Sequence, residues 1–170
     1  MFVLGIDPGL SVTGYGLLRS GYPPMGVAAG VIRTDPDMTM TERLVELAEG
    51  LRQVLGDHQP DSVAIETVFT NRNRRTAMSV VRASGVAMLV AGEAGLPVTE
   101  YPPTQVKLAV AGDGAAGKRE VMEMVSRILR LSEPPRPADV TDALAVALCH
   151  LRAAPLTGAI SASPAGGAGR

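Results

Sequence analysis

A chain of 170 residues is the length of one ordinary domain and buries roughly 68 to 70% of its extended surface on folding, so one sizeable core is expected. With 46% hydrophobic residues but only two Phe, three Tyr and no Trp, that core must be packed from aliphatic side chains and close backbone contacts. The net charge of -1 carries no sign of a nucleic-acid ligand, the single cysteine excludes an internal disulfide, and no stretch approaches the ~20 consecutive apolar residues of a membrane span.

Met1 to Leu4 run directly into Asp7 without a basic leader, so secretion is not indicated and a cytoplasmic protein is expected. Val3, Leu4, Gly5 and Ile6 read as a short apolar strand that ends in the carboxylate of Asp7 and the breaker pair Pro8-Gly9. Strands over about 12–18 and 26–32, separated by the turn Gly21-Tyr22-Pro23-Pro24, complete a three-stranded meander. Thr39 with Glu42 is a capping-box pair, and Leu44, Leu47, Ala48, Leu51, Val54 and Leu55 recur at helical spacing. A helix over 41–55 with Gly56 as its stop is predicted. Ser62-Val63-Ala64-Ile65-Glu66 is another apolar strand closed by a carboxylate. Strand, helix and strand in this order place the later strand parallel in the sheet.

The next helix, predicted over 73–94, is apolar around most of its circumference. Ala77, Met78, Val81, Met88 and Leu89 fall on one side, and Val80, Ala83, Ala87 and Val90 on another. A helix covering a sheet uses one face, so the surplus is either a homodimer contact or the mark of a central buried helix. From Thr67 to Gly92, Arg72, Arg74, Arg75 and Arg82 are offset by no acidic residue, a locally basic segment in a nearly neutral chain. A last strand over 96–101, a short helix over 104–110, a glycine-rich loop over 112–117 and a helix stopped by Pro134-Pro135 come next. The final helix is predicted from near Pro137 to about Arg152, and contains Cys149 as a buried small hydrophobe. Residues 1–153 are read as one domain, and 154–170, rich in Ala, Gly, Ser and Pro, as a disordered tail.

Asp7 and Glu66 both stand where a buried strand gives way to a loop, the place where ligands gather in α/β proteins. Asp139 and Asp142, three apart in a helix that is otherwise almost wholly apolar, project from one side of its first turns. Singly each has a plainer reading, as turn former, strand end, N-cap or first-turn charge complement. Together they form a cluster of anions that a divalent cation would reconcile. Two Mg2+ or Mn2+ ions about 3.5 to 4 Å apart suit phosphodiester hydrolysis. With His58 and His150 the only histidines and Cys149 the only thiol, a zinc site is not assembled.

Four blocks in order, Gly5-Ile6-Asp7-Pro8-Gly9 with Thr13-Gly14-Tyr15-Gly16, Ala64-Ile65-Glu66-Thr67-Val68-Phe69, Val106-Lys107, and Ala138-Asp139-Val140-Thr141-Asp142-Ala143-Leu144-Ala145, resemble the RuvC family of bacterial Holliday-junction resolvases. The likeness extends over nearly all of residues 2–152. It implies a ribonuclease-H-like α/β fold, with a five-stranded mixed sheet and helices on both faces. It also implies a homodimeric crossover junction endodeoxyribonuclease that nicks two opposing strands of a four-way DNA junction in recombination and repair. Asp7, Glu66, Asp139 and Asp142 become the metal-binding catalytic carboxylates, and RuvA and RuvB the partner proteins. Some members have histidine at the position of Asp139, so this chain follows the all-carboxylate version. Phe69 matches an aromatic placed against bases at the junction centre. Arg72, Arg74 and Arg75 would meet phosphates or base edges, Lys107 and Lys118 would hold phosphate near the metals, and Thr13, Gly14 and Tyr15 would shape the wall of the site. Three other readings stand beside this one: a ribonuclease-H-like nuclease for structured RNA or hybrids, an actin-like nucleotide-binding module, and a catalytically silent junction binder. The actin-like module would need a second comparable domain.

Overall fold

The structure, a computed structural model, describes the backbone of residues 1–67 and 74–160 and the side chains of 1–67 and 77–153. Strands β1 (Phe2–Asp7), β2 (Val12–Arg19) and β3 (Met25–Arg33) form the meander. Helix α1 (Met40–His58), strand β4 (Ser62–Glu66), helix α2 (Arg74–Glu93), strand β5 (Val98–Tyr101) and helices α3 (Pro103–Ala111), α4 (Lys118–Ile128) and α5 (Ala138–Ile160) complete the chain order. The sheet order is β3-β2-β1-β4-β5. The meander pairs antiparallel, whereas β4 runs parallel to both β1 and β5. This is the expected five-stranded mixed sheet, with β4 parallel to β1 as the strand-helix-strand order requires.

Alternation along the strands sorts the core into two layers. Leu4, Ile6, Val63 and Ile65 point to the side covered by α1 and α2, where they meet Leu47, Leu51, Ala87 and Val90. Val3 and Ala64 point the other way, toward α3, α4 and α5, where Val106, Val125, Leu144 and Leu148 pack. Asp7 and Glu66 share the parity of Val3 and Ala64. Both therefore end their strands on the α5 side of the sheet.

The capping box forms as expected: Thr39 Oγ1 accepts from the Glu42 amide at 3.4 Å, and the Glu42 carboxylate accepts from the Thr39 amide at 2.8 Å. Helix α1 nevertheless does not stop at Gly56. It runs to His58 and closes on Gln59 in the left-handed conformation, whose amide donates to the Leu55 carbonyl. A glycine costs a helix only about 1 kcal/mol, so it does not by itself end one, and the left-handed cap falls on Gln59. Helix α4 ends before the Pro134-Pro135 pair expected to stop it. Its last carbonyls are satisfied when the Leu131 amide donates to Ser126 O, with Arg130 at a φ of 53°. Helix α5 extends to Ile160, beyond the predicted Arg152.

On α2, Ala83, Ala87, Val90 and Ala91 are buried, whereas Met78, Val81, Met88 and Leu89 are exposed. The helix lies on the sheet through one face only, so the reading of a central buried helix is set aside and the second apolar face is open in the protomer. Among the described residues, no helix is long and apolar enough to cross a membrane.

Candidate active site

Three backbone features bring the carboxylates to one place. First, β1 and β4 are in parallel register through Ile6 and Ile65, so the next residue of each strand, Asp7 and Glu66, ends the pair side by side. Second, α5 approaches the sheet more closely than any side chain would allow. A Cβ on Gly5 would collide with the backbone of Ala143 and Ala147, one on Gly14 with the carbonyl of Asp139, and one on Gly16 with the Leu144 side chain at 2.6 Å. The absence of side chains at these three positions lets the first turns of α5, carrying Asp139 and Asp142, lie over the ends of β1 and β2. Third, the turn after Asp7 is tied down. Thr13 Oγ1 donates to the Gly9 carbonyl at 2.6 Å and accepts from the Gly9 amide at 3.2 Å. Arg43 reaches from α1 to Ser11 Oγ at 2.7 Å and to Thr34 Oγ1 at 2.9 Å, while Thr34 donates to the Leu10 carbonyl.

The electrostatics show the outcome. The Asp7 carboxyl is pushed up to about 8, first by burial and then by the charges of Glu66, Asp142 and Asp139. Glu66 is raised to about 7, first by burial and then by Asp142, with Lys118 and Lys107 opposing. Each of the four expected carboxylates thus acts on another, and the protein supplies too little positive charge to balance them. Among the described residues no three Asp, Glu, His or Cys groups stand in the arrangement that would hold a metal ion. The donor set itself is all carboxylate oxygen, which suits a hard divalent cation.

Lys118 occupies part of that role. Its Nζ lies 3.3 Å from Asp142 Oδ2, and its ammonium is raised above its ordinary range mainly by that carboxylate. Glu66, Lys107, Lys118 and Asp142 line one cleft of about 250 Å³, floored by Val106, Val121 and Ala145. Lys107, half-buried on α3, and Lys118, exposed at the start of α4, are thereby both placed at the mouth of the carboxylate cluster.

Some expected residues fall elsewhere. Thr13 is buried, and its hydroxyl serves the turn at Gly9. Tyr15 has the parity of Leu17 and packs on the α1 side, against Gly30, so it forms no wall of the site. Phe69 and Arg72 lie outside the described residues. Arg74 and Arg75 begin α2, with side chains outside the described set.

The sequence pattern assigns His150 no role. Its ring is buried and bridges two elements, with Nδ1 2.9 Å from the Tyr101 hydroxyl and Nε2 3.2 Å from Ser62 Oγ. Burial holds the imidazole below its ordinary value. This network pins α5 to β4 and β5 behind the carboxylates. Cys149 is buried beside it, its thiol pushed up to about 11 by burial, which suits the small hydrophobe expected.

A family model described as "Crossover junction endodeoxyribonuclease RuvC" matches residues 3–150. The protein of that name from Salinispora arenicola is 50% identical over 153 residues, covering 89% of this chain and 87% of the relative. The one from Streptomyces coelicolor is 46% identical over 157 residues, covering 91% and 84%. Among solved structures, Thermus thermophilus RuvC in complex with a Holliday junction substrate superposes with a TM-score of 0.87 at 40% identity, covering 92% of this chain and 96% of that one. A yeast mitochondrial Holliday junction resolvase, at 14% identity and a TM-score of 0.61, shares the fold alone. With a family model spanning residues 3–150 and relatives of about half identity along most of its length, the chain belongs to the RuvC family of crossover junction endodeoxyribonucleases.

Proposed function

We propose that the chain is a metal-dependent endonuclease that resolves four-way DNA junctions by hydrolysing a phosphodiester bond in each of two opposing strands. The observation that carries this reading is the convergence of Asp7, Glu66, Asp139 and Asp142, from two strand ends and one helix, in mutual electrostatic reach beside Lys107 and Lys118.

Asp7, Glu66, Asp139 and Asp142 would hold Mg2+ or Mn2+, two ions in the finer form of the proposal. When bound, such ions activate water and neutralise the leaving oxyanion. The chain's own residues do the rest. Lys107 and Lys118 set the DNA phosphate at the cleft, and Lys118 gives up part of its hold on Asp142 to do so. The glycine track fixes the helix that carries two of the carboxylates against the sheet before DNA arrives. Phe69, Arg72, Arg74 and Arg75 belong to the stretch that leaves β4 immediately after Glu66, and we assign them contact with bases and backbone near the scissile phosphate.

Symmetric cleavage needs two such sites, and the open apolar face of α2 formed by Met78, Val81, Met88 and Leu89 supports a homodimer. We assign cleavage to residues 1–153 and treat 154–170, the end of α5 and the segment beyond it, as dispensable for cutting. Work alongside RuvA and RuvB in the bacterial cytoplasm rests on family membership.

The test is incubation of the purified protein with a labelled four-way junction, a linear duplex of the same sequence and an RNA-DNA hybrid, each with Mg2+ and with EDTA. Paired nicks confined to the junction and abolished by EDTA are expected. Cutting of the hybrid alone, or cutting that survives chelation, overturns the proposal.

A further inference from the structure

At the pole of the sheet away from the carboxylates, where Phe2 of β1 pairs with Arg19 of β2, the β2-β3 hairpin, the end of α4 and the middle of α5 enclose a concavity of about 470 Å³. Its floor is apolar, with Leu148, Leu151, Ile128 and the prolines Pro23 and Pro24. Its rim carries Arg127, Arg130 and Arg152, and among the described residues no carboxylate lines it. Arg152 follows Asp142 by ten residues of α5, about 15 Å along the helix, so the pocket is separate from the cleft that takes the scissile phosphate.

Arg130 adds an independent observation. It sits just beyond the end of α4 at a φ of 53°, a position that favours glycine, yet here carries a guanidinium to the pocket. Arg127 and Arg130 have no ion-pair partner among the described residues. Arg152 is oriented by donating to the Ala109 carbonyl of α3, and its positive charge has no ion-pair partner among the described residues.

We propose that this pocket is a docking site for a short acidic segment of a partner protein, its apolar side chains seated on Ile128 and Leu151 and its carboxylates paired with Arg127, Arg130 and Arg152. Nucleic acid matches less well. A phosphate backbone needs an open basic track, whereas this is a concave pocket with an apolar floor. Because the pocket lies apart from the carboxylates, a partner seated there leaves the cleft that takes the scissile phosphate open.

The experiment is fluorescence anisotropy on the full chain with a labelled short peptide mixing Glu and Asp with Leu and Phe. A peptide of the same length with Lys in place of the acids and a single-stranded oligo-dT serve as competitors. Binding of the acidic peptide is expected, weakened at least tenfold in Arg127→Ser/Arg130→Ser, with junction cleavage unchanged in that variant. Arg130→Gly should lose peptide affinity while raising the melting temperature, which a merely structural arginine would not do. Absence of acidic-peptide binding, binding indifferent to both variants, or displacement by oligo-dT overturns the proposal.

Discussion

The Asp139 carbonyl of α5 lies against Gly14 of β2 so closely that a single methyl group on the strand would have to occupy the same space. The position of two candidate metal ligands therefore depends on a residue with no functional group. Gly14→Ala should displace the start of α5, destabilise the fold by about 2 to 3 kcal/mol and lower junction cleavage at least tenfold. Gly16→Ala meets mainly the movable Leu144 side chain and should cost less on both counts. Thermal denaturation and a nicking assay on the two variants check this, and equal losses would remove the special role of Gly14.

The crowding of carboxylates has a thermodynamic sign. Asp7, with a folded value of about 8 against 3.8, binds its proton more tightly in the folded state. Its contribution favours folding at low pH and is lost as pH rises through about 8 in metal-free protein. Asp7→Asn should thus be more stable than the parent at pH 8, on the order of 2 kcal/mol, with the advantage vanishing near pH 4. The same variant should keep junction binding and lose cleavage. Melting curves in EDTA at the two pH values, with a gel-shift assay, decide it.

Lys118 is paired with Asp142 and faces the cleft, so its loss removes one phosphate contact and one counter-charge. In Lys118→Met the dependence of log affinity on log salt should flatten by about one unit. Cleavage should fall more than binding. Titration of a labelled junction at several salt concentrations tests the slope; an unchanged slope would place Lys118 off the DNA.

His150 titrates in the opposite sense to Asp7. Burial holds it below the ordinary 6.5, so the stability its neutral form confers is present above that value and declines as pH falls below it. His150→Leu leaves the Tyr101 and Ser62 hydroxyls without their partner and should cost about 2 kcal/mol at pH 7.5. The cost should shrink toward pH 5. Adding Tyr101→Phe to it should recover part of the loss, and denaturant melts of the single and double variants at both pH values measure each step.

Leu89 stands 59% exposed on the apolar face of α2. Leu89→Glu should yield a monomer with a melting temperature close to that of a single folded protomer and with paired nicking lost. Light scattering after size exclusion checks the mass. A variant that remains dimeric would move the interface elsewhere.

Much of this was legible in the sequence because strands and helices impose periods. The apolar runs Val3 to Asp7 and Ser62 to Glu66 showed that both strands end in a carboxylate, and the three-residue spacing of Asp139 and Asp142 put them on one side of α5, whereas the side of the sheet that Asp7 and Glu66 take came from the packing. The apolar surplus of α2 was visible for the same reason, and the buried and exposed sides divide as the spacing implied. What tertiary structure alone decided are contacts between residues far apart in the chain. Ser62, Tyr101 and His150 meet although 88 residues separate the first from the last. Arg127, Arg130 and Arg152 reach one pocket from two helices and a turn. Gly56 failed as a helix stop because its local preference is worth only about 1 kcal/mol and the left-handed cap formed three residues later, at Gln59.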